Sequence, residues 1–153
     1  MTALLADIPD AVVAAMNDLQ GSFGLSFTAA RVLYVEQKLS YFQDLRVAVM
    51  PGPFELAILD RSKRDKQVSV DVVIQKQVDP AVNAECDPLL ELFEQVLTFL
   101  LGRTLTTAGN RRIQCMEASP IGPESAAINP DLVRNLRLFT AILRARFVVR
   151  GEG

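Results

Sequence analysis

Val68-Ser69-Val70-Asp71-Val72-Val73-Ile74-Gln75 is the stretch that decides how this chain folds. Val68, Val70, Val72 and Ile74 fall on one side of an extended strand and Ser69, Asp71 and Gln75 on the other, because successive strand side chains point to opposite faces. The apolar side is β-branched, which suits a pleated, half-buried surface. A sheet with one face on a core is therefore expected, and the rest of the chain must supply the cover.

Upstream, Phe54 to Leu59 is a second apolar run, and the polar block Asp60 to Gln67 between the two predicts a long β-hairpin with a charged tip. Leu45, Val47 and Val49 alternate with Arg46, Ala48 and Met50 in a strand that Pro51 to Pro53 is expected to end. Phe27 to Val35 reads as another strand, set off by Gly21 and Gly24. Downstream, Arg111 to Ser119 places Ile113, Cys115 and Glu117 on one side. The longest strand is Leu136 to Val149. Phe139, Ala141, Leu143, Ala145, Phe147 and Val149 form one row, which Arg137 interrupts near its start, and Leu138, Thr140, Ile142, Arg144, Arg146 and Val148 form the other.

Two helices supply the cover. From Asp7 to Leu19, Val12, Val13, Met16 and Leu19 recur at helical spacing, with Asp7 suited to cap the helix and Pro9 to sit in its first turn. From Glu85 to Leu101, Leu89, Phe93, Val96 and Leu100 make a stripe that Leu92, Leu97 and Leu101 widen, and Gly102 is the expected stop. The order predicts an α+β fold: a mixed, largely antiparallel sheet with two main helices packed on one face, in a single domain over residues 1–153. Pro120 to Pro130, rich in proline and small residues, is a loop long enough to suggest a purpose beyond connection.

Composition narrows the function. A net charge of -2 gives no overall basic field for nucleic acid, so any charge effect must be local. Histidine is absent, which removes Ser-His-Asp and Cys-His nucleophile systems and the paired-histidine zinc helix. Cys86 and Cys115 have no CxxC partner and are expected as small hydrophobes rather than a disulfide or zinc site. No GxGxxG or GxxxxGK run signals a phosphate loop. Glu91 and Glu94 read as an exposed acidic stripe rather than a catalytic carboxylate pair. No catalytic residue, metal or cofactor is expected. The longest strongly apolar run, Leu97 to Leu101, falls short of a membrane span, and Asp7, Pro9 and Asp10 interrupt any secretory signal.

Two charged constellations remain. Arg61, Lys63, Arg64 and Lys66, with only Asp65 among them, belong to the hairpin tip, where they are either solvated or a contact surface for nucleic acid or an acidic neighbour. Arg144 and Arg146 share a strand face with Leu138 and Ile142, a mixture that suits a subunit interface as well as a solvated sheet. The aromatic and glycine run of an RNA-binding sheet is absent.

Three stretches, Phe42-Gln43-Asp44-Leu45-Arg46-Val47-Ala48-Val49-Met50-Pro51, Ser69-Val70-Asp71-Val72-Val73-Ile74-Gln75-Lys76 and Leu136-Arg137-Leu138-Phe139-Thr140-Ala141-Ile142-Leu143-Arg144-Ala145-Arg146-Phe147, resemble in layout and strand character the tail terminator and tail-completion proteins of long-tailed phages. The resemblance implies a homo-oligomeric, hexameric ring that caps the head-proximal end of the tail tube, ends its growth and offers a joining surface to the head. The partners it implies are further copies, the tail tube protein and a neck or head-completion protein, with transient DNA contact in the lumen. The location it implies is the virion tail, after assembly in the host cytoplasm. A neck adaptor or head-closure protein needs the same properties. A small-ligand binding α+β module is the rival from another class, for which no polar pocket residues stand out.

Overall fold

A computed structural model describes residues 3–33, 44–58, 64–78, 83–121 and 138–150; the side chains of 53–58, Arg64, Asp65, Asn83, Leu138 and Arg150 lie outside that description. The element order is α1 (Leu4–Asp18), a short 3-10 turn (Gln20–Ser22), β1 (Ala29–Arg31), β2 (Arg46–Ile58), β3 (Arg64–Gln77), α2 (Asn83–Leu100), β4 (Thr104–Thr106), β5 (Arg112–Pro120) and β6 (Leu138–Arg150). The strands make one curled six-stranded sheet in the order β1-β2-β3-β6-β5-β4. The β1–β2 pair is parallel and the other four are antiparallel, so the fold is α+β with a mixed, largely antiparallel sheet.

The row Val68, Val70, Val72 and Ile74 is fully buried and packs in one apolar core with Ile8, Val12 and Met16 of α1 and Leu89, Leu92, Val96 and Leu100 of α2. β6 adds Phe139, Ala141, Leu143, Ala145 and Phe147 to the same core, each at most 1% exposed. Both helices therefore cover one face. Fully burying side chains of this size contributes roughly 1.5–3 kcal/mol each. Gly102, at φ 79, ends α2 in the left-handed conformation that glycine adopts without strain, and Arg103 N–H closes the turn on the Leu100 carbonyl at 3.0 Å.

Several local expectations need correction. Pro51 to Pro53 do not end β2, which runs on to Ile58. The Val49 carbonyl accepts from Val32 N–H at 2.9 Å, so Pro51, two residues on, directs its missing N–H away from β3 and breaks no β2–β3 bond. Gly52 and Pro53 together oppose Ser69 in a bulge, and a Cβ on Gly52 would stand 3.0 Å from the Ser69 carbonyl oxygen. On the other arm of the hairpin β3 begins at Arg64, so Arg64 to Gln67 are strand rather than tip. Of the described part of Phe27 to Val35, residues 27–33, the three residues of β1 are strand; Tyr34 and Val35 lie outside the described residues.

α1 starts at Leu4, with Ala3 at its N-cap, so Asp7 is inside the helix rather than capping it. The Asp7 carboxylate is buried and turns to the β4–β5 turn, accepting from Gly109 N–H at 3.4 Å and pairing with Arg111 Nη1 at 3.4 Å. In β5, Ile113 and Cys115 face the core, but an extra residue between Cys115 and Glu117 shifts the register and sends Glu117 to the other face. β4 escapes the alternation reading because it is three residues long. Residues 122–130 of the Pro120 to Pro130 loop lie outside the described residues.

Candidate interaction surface on the second face of the sheet

The face turned away from the helices is built from the polar rows of β3 and β6. Antiparallel register sets Asp71 opposite Arg144, Gln75 opposite Thr140 and Ser69 opposite Arg146. Arg144 grips Asp71 with two donors, Nε to Oδ1 at 2.8 Å and Nη2 to Oδ2 at 3.1 Å, the bidentate geometry that a planar guanidinium makes with a carboxylate. Donating its hydrogen bonds to Asp71 raises the Arg144 pKa above the ordinary arginine value, against the pull of burial, so the group stays charged. Arg146 donates through Nη1 to Gln67 Oε1 at 2.9 Å and sits 3.2 Å from Glu117 Oε2 through Nη2. Its Nε is buried without a hydrogen-bond partner among the described residues. The bulge in β5 is what brings Glu117 to this face.

The row is closed at its centre. Val73, Gln75 and Thr140 are 1%, 2% and 3% exposed, and Gln75 Nε2 donates to Thr140 Oγ1 at 3.4 Å. One end, carrying Ile142, Arg144 and Arg146, is half-buried and open to a neighbour, and Gln77 is exposed at the other. Two carboxylates, Asp71 and Glu117, balance the two guanidiniums there. These four side chains therefore offer shaped hydrogen-bonding groups with their charges paired, which fits a protein surface better than a phosphate backbone.

The two constellations do not merge. Lys66 has the strand parity of Val68 and Val70, so it continues the helix-facing row, while Arg144 and Arg146 are on the opposite face. Arg64 pairs by its backbone with Ile58, and Leu138 with Gln77. Arg61 and Lys63 lie outside the described residues. The carboxylates and the amide that hold the arginines were not singled out from sequence, since Asp71 is 73 residues from Arg144. The available signal was a lone acid on the polar row of one strand and a basic row on another.

Cys115 is buried and Cys86 half-buried, and neither forms a disulfide. Burial pushes the Cys115 thiol up from its ordinary value, outweighing the hydrogen bonds and the nearby Arg146, and leaves it neutral. Among the described residues no three His, Cys, Asp or Glu side chains converge as metal ligands, and no helix is long and apolar enough to cross a membrane.

No family model matches the sequence, and no curated protein does. Among solved structures, one whose name states no function shares the fold at a TM-score of 0.52 and 12% identity, with 95% of each chain covered. That likeness is one of fold.

Proposed function

We propose that this protein is a structural assembly subunit that joins copies of itself into a ring at the head-proximal end of a phage tail tube, ending tube growth and offering the head a joining surface. The observation that carries the reading is spatial. Residues 46–51, 69–76 and 138–147 of the three stretches that resemble tail terminators lie in β2, β3 and β6, consecutive neighbours at the middle of the sheet, so that part of the resemblance follows one continuous piece of architecture.

The fold supports that work in physical terms. The helices cover one face, and the Ile142, Arg144 and Arg146 end of the other is only half-buried, which leaves it available to neighbours. Arginine beside aliphatic side chains is favoured in subunit interfaces, and pre-held guanidiniums lose little freedom when a partner arrives. Contact with DNA in a lumen would fall to Arg61, Lys63, Arg64 and Lys66, four cations with only Asp65 among them in the sequence, whereas Arg144 and Arg146 pair with Asp71 and Glu117.

The test is solution mass across concentration and salt, alone and with purified tail tubes. A defined oligomer bound at tube ends, six copies as the resemblance implies and with its number fixed by the measured mass, supports the reading. A protein that stays monomeric in both settings and ignores tube ends overturns it. Binding to head-completion proteins but not to tubes moves the assignment to a neck adaptor.

A further inference from the structure

The β1 edge of the sheet carries an arrangement that the ring reading does not use. Val32 N–H donates to the Val49 carbonyl at 2.9 Å, so residues 30 and 32 direct their backbone groups to β2 and, by alternation, Ala29 and Arg31 direct theirs outward. An open edge of this kind is a template on which another extended chain can pair.

The outward groups of Ala29 are already taken by a side chain. Asn17 Oδ1 accepts from Ala29 N–H at 2.8 Å while Asn17 Nδ2 donates to the Ala29 carbonyl at 3.1 Å, reproducing with one amide the bond pair that a neighbouring strand would make. Two residues earlier along the chain, Gln20 Oε1 accepts from Phe27 N–H at 3.1 Å, and Gln20 Nε2 is itself anchored on the Met16 carbonyl at 2.9 Å. Two residues later, the Arg31 guanidinium meets Asp10 at 3.1 Å. Asp10, Asn17 and Gln20 thus follow one side of α1 and the turn after it, while Arg31, Ala29 and Phe27 follow the strand edge in the reverse direction at its two-residue period.

We propose that α1 serves as a surrogate strand, its Asn17 and Gln20 amides sealing the β1 edge against pairing with another copy of this chain. Sheet growth past β1 is blocked, and contacts between copies must form elsewhere. The inference stands whether or not the protein forms a ring, because it concerns a contact that the fold prevents.

The direct test is hydrogen exchange in the wild-type protein. The Ala29 and Phe27 amides should exchange as slowly as amides paired within the sheet, and the outward Arg31 amide much faster. Equal, fast exchange at Ala29 and Arg31, after correction for intrinsic rates, overturns the proposal. In parallel, Asn17→Leu should raise the solution mass to about twice the wild-type value or more, with β-rich association. Adding Arg31→Pro, which removes an outward N–H from that edge, should restore the wild-type mass. A folded Asn17→Leu variant of unchanged mass, or association that Arg31→Pro leaves untouched, contradicts the edge-sealing role. If Asn17→Leu does not fold, the exchange result decides.

Discussion

Arg144 stands directly across the β3–β6 ladder from Asp71 and holds it by two hydrogen bonds of 2.8 and 3.1 Å, which fixes the direction in which the second face of the sheet presents its charge. The Arg144 side chain is 38% exposed, so solvent weakens the pair. A double-mutant cycle with Asp71→Ala and Arg144→Ala should give a coupling of about 1 kcal/mol in urea unfolding. Because the Arg144 pKa is raised, its contribution is complete below the ordinary arginine range and fades only as pH climbs beyond it. Across neutral pH the arginine should therefore add no pH dependence.

Asp7 is the stronger case. It is 1% exposed and ties the first turns of α1 to the β4–β5 turn through Gly109 and Arg111. Asp7→Ala leaves Arg111, 15% exposed, beside an empty site, and should cost about 2 kcal/mol. Asp10→Ala breaks only the open Arg31 pair, whose side chains are 41% and 50% exposed, and should cost no more than about 0.5 kcal/mol. Thermal unfolding of both variants checks the contrast.

Gly102→Ala isolates backbone strain. A Cβ there meets nothing within 4 Å, yet the residue sits at φ 79. The expected loss is about 1 kcal/mol, or about 2–4 °C in Tm, without any change in the core.

Cys115 and Cys86 should differ in reactivity. Burial holds the Cys115 thiol neutral, so a thiolate-seeking alkylating reagent should modify Cys86 in the folded protein and reach Cys115 only on unfolding. The sign of the linkage follows from the raised pKa. The unfolded chain loses the Cys115 proton first, so its contribution to stability is complete below the ordinary thiol range and declines as pH rises through it. Labelling of Cys115 at the rate of Cys86 in native protein would contradict this.

Strands and helices that obey a single period were legible in the sequence. The apolar rows of β3 and β6 and the stripe of α2 are buried as their spacing implies, because each meets one core. That Ser69, Asp71, Val73 and Gln75 are buried on the other face of β3 is not something alternation implies. What escaped depends on neighbours. Pro51 ends a strand only if its missing N–H faces a partner, and among the described residues β2 has none on that side at that point. The extra residue at Met116 cannot be told from regular alternation until β6 fixes the register. Asp7 reads as a cap because its actual partners, Gly109 and Arg111, lie more than 100 residues away. The arginine face was legible in its residues but not in its state, since the opposing carboxylates sit on other strands.

Tail length tests the central claim most directly. In a phage or prophage carrying this gene, its deletion should give tail tubes of excess and variable length that fail to join filled heads, with normal length restored by the wild-type protein. Tails of normal length, joined to heads in its absence, would contradict the account.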